Sequence, residues 1–133
     1  MIVLITGNHL RHKYLVDSFS KVFKNVVWII EKREEFIPKI DKNFNSEIQG
    51  LQKIHFEKRK EAENEFFTSK AGEYSKNIAN KVYEIEKDDI YNGKLKEILK
   101  KIKSKFLITY GCHKLPEELL KVFENYKWNV HGG

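Results

Sequence analysis

The chain has 133 residues, a single cysteine and a formal charge of +6. This length suits one domain with a buried core. A single cysteine excludes an intrachain disulfide and favours a reducing, cytoplasmic compartment. No apolar run is long enough to span a bilayer. All but three of the 25 basic residues are lysines scattered among glutamates. That pattern is typical of composition bias, so we predict neither a nucleic-acid nor a membrane partner.

The first third of the chain reads as strand, helix, strand. Met1 to Thr6 is an apolar run that predicts a central parallel strand buried on both faces, and Gly7 permits a tight turn out of it. A helix from Leu10 to Phe23 has one apolar face, and Val26 to Ile30 forms the second strand. This unit predicts a right-handed crossover and a parallel sheet.

A long helix follows a charged stretch that contains Pro38. We predict it from Glu47 to Phe67, with Ser46 as its N-cap and Gly72 as its break. One face carries a mixed stripe: Ile48, Leu51, His55, Arg59, Ala62 and Phe66. Either His55 and Arg59 are boundary residues whose polar ends reach solvent, or both point into a cleft over the sheet as substrate ligands, which is the prediction we carry forward.

The remaining elements continue the alternation. Val82 to Ile85 predicts an edge strand, and the lysine-rich helix after it predicts a solvated outer layer. Strands follow at Phe106–Tyr110 and Lys127–Val130, with Pro116 at the start of the helix between them. The fold class is therefore α/β: a three-layer, doubly wound, mainly parallel sheet in which the first, fourth and fifth strands are adjacent.

Polar residues concentrate in the loops that leave strand ends, which is where doubly wound sheets bind ligands. Four of the five histidines are in or next to these loops: His9, His12, His113 and His131. Neither a helical His-x-x-x-His spacing nor a cysteine pair supports zinc, so we predict no metal. The turn after the first strand has one glycine, Gly7, which argues against a nicotinamide dinucleotide site.

The last five residues, Asn129-Val130-His131-Gly132-Gly133, carry a resemblance. Together with the loop Tyr110-Gly111-Cys112-His113-Lys114-Leu115-Pro116, they resemble the Asn-x-His-Gly segment and the aromatic-glycine, Leu-Pro loop of folate-dependent formyltransferases. That family includes methionyl-tRNA formyltransferase, glycinamide ribonucleotide transformylase and the sugar N-formyltransferases. The resemblance covers mainly residues 82 to 133, and the string around His55 and Arg59 is similar to the sugar-modifying branch.

The resemblance implies formyl transfer from N10-formyltetrahydrofolate to an amino group, and its sugar-modifying branch implies the amino group of a nucleotide-linked amino sugar. Asn129 would stabilise the oxyanion of the tetrahedral intermediate. His131 would transfer the proton or, when protonated, donate a hydrogen bond to the oxyanion. The implied folate-binding residues are Tyr110, Gly111, Cys112, Leu115 and Pro116. The implied substrate-binding residues are Asn8, His9, Arg11, His55 and Arg59.

One departure from the family bears on activity. The family's catalytic Asp lies a few tens of residues beyond the His, so we expect residues 1–133 to be the N-terminal part of one formyltransferase-like domain, incomplete at its C-terminus. We expect this chain to bind folate weakly or not at all and to be inactive alone. We also expect it either to self-associate through an uncovered sheet edge or to be marginally stable. The alternatives are a non-catalytic folate- or nucleotide-binding remnant, or formylation of glycinamide ribonucleotide or methionyl-tRNA.

Overall fold

The computed structural model describes residues 1–33, 40–71, 79–123 and 126–131. These residues contain a five-stranded sheet in which every strand pairing is parallel. In chain order the strands are β1 Ile2–Thr6, β2 Val26–Glu31, β3 Lys81–Ile85, β4 Phe106–Tyr110 and β5 Lys127–Val130. Their order across the sheet is β3-β2-β1-β4-β5, so β1 is central and both β3 and β5 are edges.

Helices make the crossovers that parallel strands require. They are α1 Leu10–Val22, α2 Ser46–Ala71, α3 Lys94–Ile102 and α4 Glu117–Leu120, with 3₁₀ turns at Lys87–Ile90 and Lys121–Phe123. The chain steps outward from β1 through β2 to β3, then returns across the sheet to β4 beside β1. The winding therefore reverses between β1 and β4, which defines a doubly wound, Rossmann-like sheet.

The two faces of the sheet bury cores of different size. Because strand side chains alternate between faces, Val3 and Ile5 of β1 join a core with Leu95 of α3 and Leu119 of α4. Leu4 joins a smaller core on the opposite face, whose other buried members are Val16 of α1 and the strand residues Val26, Trp28 and Ile108. Both faces of β1 are thus buried, as its continuous apolar sequence predicts.

The β5 edge is poorly covered. All four residues of β5 are exposed, and Trp128 lies parallel to Phe106, with 6.5 Å between the ring centroids. Tyr126 contacts the same Phe106 ring, at a centroid distance of 4.9 Å. These aromatic rings are therefore partly exposed at this edge of the sheet.

The predicted α/β architecture is confirmed, including the neighbouring positions of β1, β4 and β5 and the edge position of β3. The prediction that Ser46 caps α2 is wrong by one residue: Asn45 Oδ1 accepts a hydrogen bond from the Ile48 amide at 2.9 Å, and Ser46 is the first helical residue. The helix also continues past Phe67 to Ala71. The predicted break at Gly72 and the residue Pro38 lie outside the described residues. None of the described helices is long and apolar enough to cross a membrane.

Candidate functional site

The carboxyl ends of β1 and β4 meet at the point where the winding reverses. The Gly7 amide donates a hydrogen bond to the Tyr110 carbonyl at 3.2 Å, so the two loops that leave these strands start side by side. Gly111 has φ +64°, a left-handed conformation that favours glycine. Its carbonyl accepts a hydrogen bond from Arg33 Nη1 at 2.8 Å, which ties the β4–α4 loop to the end of β2.

A cleft of about 420 Å³ opens beside this loop, between α4 and the ends of β4 and β5. Its walls combine aliphatic side chains with amide, imidazole, hydroxyl and ammonium groups. Its lining residues include Leu107, Thr109, Cys112, His113, Leu115 and Asn129. The cleft thus joins two sequence regions that the resemblance singles out, the loop after β4 and the end of β5.

Asn129 projects from the exposed edge strand into this cleft. It is the register partner of Thr109, and Thr109 Oγ1 donates a hydrogen bond to Asn129 Oδ1 at 2.9 Å. With its carbonyl oxygen occupied, the Asn129 amide can offer N–H groups to a ligand in the cleft. The sequence did not predict a role for Thr109. Its position on β4, two residues before Gly111, is the signal that could have identified it.

His131, the predicted proton carrier, lies one residue beyond β5 and is exposed. It does not belong to the residues that line the two described clefts. Gly132 and Gly133 lie outside the described residues.

The predicted folate-binding residues occupy different positions along the β4–α4 loop. Leu115 is buried in the larger core and, with Cys112, lines the cleft. Burial raises the pKa of the Cys112 thiol to about 11, and the charge of Glu31 adds to the effect; the thiol is therefore protonated at neutral pH. Tyr110 and Gly111 instead face His12, and Pro116 forms the N-cap of α4.

A carboxylate–imidazole pair adjoins the same cleft, and the sequence reasoning missed it. Glu31, the last residue of β2, is completely buried. Its Oε2 accepts a hydrogen bond from the His113 amide at 2.7 Å, and its Oε1 makes a short contact with His113 Nδ1. The signal was a glutamate ending an otherwise apolar strand run, Val26 to Ile30.

His12 occupies the crevice between the ends of β1 and β4. It is 1% exposed, and its Nδ1 accepts a hydrogen bond from the His9 amide at 3.2 Å. Its Nε2 has no hydrogen-bond partner among the described residues. Burial, assisted by the nearby charge of Arg11, lowers the pKa of His12 from 6.5 to about 3, so this imidazole is neutral under ordinary conditions.

A second, smaller cleft of about 250 Å³ lies at the start of α1. It brings together three of the predicted substrate-binding residues, Asn8, His9 and Arg11, with residues from the far end of α2: Glu63, Asn64 and Phe67. Arg11 Nη1 is 2.5 Å from Glu63 Oε2. Burial would raise the pKa of Glu63, but hydrogen bonds and charges from Arg59 and Arg11 outweigh it and lower the pKa.

His55 and Arg59 do not face inward. Both are exposed, the Arg59 side chain at 59%, so the expectation that this face of α2 is turned away from solvent is wrong. The reason is that α2 packs on α1 near its C-terminal end and beside the stripe. Phe67 and Phe66 contact Tyr14 at ring-centroid distances of 5.7 and 6.4 Å, and Glu63 contacts Arg11. Arg59 still reaches the rim of the smaller cleft, because its Nε is 3.1 Å from Glu63 Oε1.

The described residues contain no group of three or more His, Cys, Asp or Glu side chains arranged to hold a metal ion. No family model, curated protein or solved structure matches the chain.

Proposed function

We propose that the protein transfers a formyl group from N10-formyltetrahydrofolate to a primary amine, and that the larger cleft holds the reacting groups. The observation that carries this proposal is the placement of Asn129: the motif asparagine lines a cleft of about 420 Å³, and Thr109 holds its amide oxygen at 2.9 Å. Ligand pockets for molecules of this size typically enclose about 300–1,000 Å³.

Asn129 suits the part of the reaction in which charge develops. The amine attacks the formyl carbon and gives a tetrahedral intermediate with a negatively charged oxygen. A fixed amide N–H directed at that oxygen stabilises it, and removing one such donor typically lowers kcat by about 10²–10³. Thr109 contributes by fixing the amide before the substrate arrives.

The β4–α4 loop is the proposed folate contact. Leu115 and Leu107 supply apolar walls, and the loop backbone supplies hydrogen-bonding groups for the edge of a pterin ring. The ties from Arg33 to Gly111 and from Tyr91 Oη to the Lys114 carbonyl, at 3.0 Å, hold the loop in place before ligand arrives. Pre-ordering of this kind reduces the entropy lost on binding.

The smaller cleft suits the acceptor, which we propose to be a nucleotide-linked amino sugar. Asn8 and Arg11 line it, and the start of α1 presents backbone N–H groups that favour an anion. Arg59, through Glu63, would add positive charge at its rim. His55, also predicted to bind the substrate, is not among the residues that line this cleft.

Two measurements test the proposal. Calorimetry with 5-formyltetrahydrofolate, a stable relative of the donor, should give saturable heat with the wild-type protein. Formyl transfer should be measured with N10-formyltetrahydrofolate as the donor and with amino-sugar nucleotides, glycinamide ribonucleotide or methionyl-tRNA as acceptors.

The Asn129→Asp variant keeps the side-chain shape but removes the N–H donor, so turnover should fall about 100-fold. The control variant Asn43→Asp, on an exposed loop, should leave turnover unchanged. The resemblance implies that residues 1–133 are inactive alone, but the cleft has a carboxylate–imidazole pair of its own, Glu31 and His113, so the proposal predicts turnover by this chain. No binding and no turnover would refute it.

Folate or nucleotide binding without catalysis is the second candidate. The exposure of His131 beyond β5 favours it, because an imidazole in bulk solvent is poorly placed to act on a bound formyl group. Saturable binding with no turnover for any acceptor would select this candidate.

A further inference from the structure

The Glu31–His113 pair joins a buried carboxylate to an accessible imidazole. Glu31 is 0% exposed, whereas the His113 side chain is 32% exposed. Both carboxylate oxygens contact the same residue, one through the His113 amide and one through Nδ1. A buried charge is costly unless it is paired and hydrogen-bonded, so this two-point contact has a structural role in seating the loop.

The contact also determines which nitrogen of His113 is available. An ionised carboxylate only accepts hydrogen bonds, so the proton in the Glu31 contact is on Nδ1. In the neutral ring the lone pair is then on Nε2, the nitrogen not engaged by Glu31. A carboxylate that fixes the tautomer and orientation of an imidazole is the arrangement that general-base histidines use.

His113 and Asn129 line the same cleft. Sheet geometry explains why: Ile29, Ile5, Thr109 and Asn129 are in register across four strands, and Glu31 lies two residues beyond Ile29 on the same face. The β4–α4 loop runs over this face, so His113 reaches Glu31 while it borders the space in front of Asn129.

We propose that His113 Nε2 is the proton acceptor of the larger cleft and that Glu31 is its positioning residue, an inference that rests on the proposed formyl transfer. The amine nitrogen forms a bond to the formyl carbon, and Asn129 stabilises the oxyanion. His113 Nε2 takes one proton from the attacking nitrogen. When the bond from the formyl carbon to folate N10 breaks, the same proton passes to N10, so the ring returns to its starting state.

This assignment gives the proton to an imidazole within the cleft. His131, which the motif resemblance favours, is exposed beyond β5 and has no described carboxylate partner. The chain's own Glu31 supplies the orienting carboxylate that the family provides through an Asp beyond the His.

Substitution with asparagine separates catalysis from folding. In His113→Asn the amide nitrogen occupies nearly the place of Nδ1 and can still donate to Glu31, while the Nε2 atom is lost. We expect turnover to fall about 100-fold or more, with calorimetric binding of 5-formyltetrahydrofolate unchanged. His131→Asn is measured in parallel. If His131→Asn abolishes turnover and His113→Asn retains it, the assignment is overturned.

Glu31→Gln tests positioning. The glutamine amide can donate to Nδ1 and thereby move the ring proton to Nε2, which removes the acceptor without removing the ring. We expect kcat to fall at least tenfold with little change in KM and with a shifted pH profile. An unchanged pH profile and kcat in a folded Glu31→Gln protein would show that Glu31 only supports the loop.

Chemical modification keeps the test independent of the substrate. Diethylpyrocarbonate acylates an accessible imidazole nitrogen that carries a lone pair, and peptide mass spectrometry reads each histidine separately. In wild-type protein His113 should be modified, the buried His12 should not, and Glu31→Gln should slow His113 while leaving exposed His55 unchanged. If the wild type transfers no formyl group, the proposed function fails, whereas this pattern would still support His113 as a proton acceptor. An unmodified His113 would overturn it.

Discussion

Two imidazoles lie near the carboxyl ends of the central strands, in opposite environments. His12 is sealed between the β1 and β4 loops, with Nε2 unpartnered among the described residues and a pKa lowered to about 3. His113 is partly exposed, and a buried carboxylate holds its Nδ1. Burial alone keeps an imidazole neutral and inert, whereas a fixed carboxylate partner with one open side leaves a nitrogen that can exchange a proton with a ligand.

The close enclosure of His12 has a steric basis as well. A Cβ at Gly7 would lie 2.8 Å from His12 Cε1, and a Cβ at Gly111 would lie 2.9 Å from the same atom. Two glycines are therefore needed to accommodate the sealed ring. His12 thus fills the space at the point where the winding reverses.

The largest expected effect is acid destabilisation through His12. Its folded pKa, about 3, is below its ordinary 6.5, so the unfolded chain binds the extra proton between these values. Stability from this group is fully present above pH 6.5 and is lost as pH falls toward 3, by on the order of 4 kcal/mol. Urea unfolding of His12→Asn should show a correspondingly weaker pH dependence over this window, whereas His55→Asn, on an exposed face, should follow the wild type. Equal slopes for all three proteins would contradict a neutral His12.

Removal of the His113 ring should have the next largest effect. His113→Ala leaves the residue-113 amide as the only hydrogen-bond partner of buried Glu31 among the residues that the structure describes, and an under-satisfied buried charge typically costs about 2–3 kcal/mol. The adjacent exposed residue provides the control, because Lys114→Ala should change the unfolding free energy by less than about 0.5 kcal/mol. Denaturant titration at pH 7 measures both, and equal stability of the two variants would mean that the pair does not stabilise the loop.

Gly111→Ala tests how tightly His12 is enclosed. The new methyl group would overlap the imidazole in addition to straining a left-handed backbone. Gly93 also has a positive φ, +97°, but nothing lies within 4 Å of the position that a methyl group would take there, so Gly93→Ala reports backbone strain alone. We expect Gly111→Ala to be less stable than Gly93→Ala by about 2 kcal/mol. Thermal unfolding of both proteins makes the comparison, and similar losses would show that the ring simply moves aside.

The smallest expected effect is a gain in stability from replacing a glycine that belongs to neither histidine environment. Gly50 lies within α2, with open space around its Cβ position. Gly50→Ala should stabilise the protein by about 0.5–1 kcal/mol because alanine is the better helix former. A loss of stability in denaturant unfolding would indicate that this part of α2 has a contact that alanine disturbs.

The strand order follows largely from the sequence. Uninterrupted apolar runs at Ile2 and Phe106 require burial on both faces, and the alternation with helices leaves few arrangements other than a parallel sheet. The stripe on α2 led to a wrong prediction because hydrophobic periodicity identifies the residues that share a helix face but not what that face packs against. Tyr14 and Arg11 of α1 determined which side of α2 is buried, so His55 and Arg59 remained exposed.

Sequence alone determined the α/β alternation, the central position of β1 and the loops in which polar chemistry gathers, since these depend on local hydrophobic patterns and turn residues. Tertiary structure decided the partners. Glu31 and His113 are separated by 82 positions, and no local pattern links them; they meet because the chain returns across the sheet to place β4 beside β1. The same return brings Gly111 against His12. Contacts of this kind depend on which strands become neighbours, and that choice is made by the packing of the whole sheet.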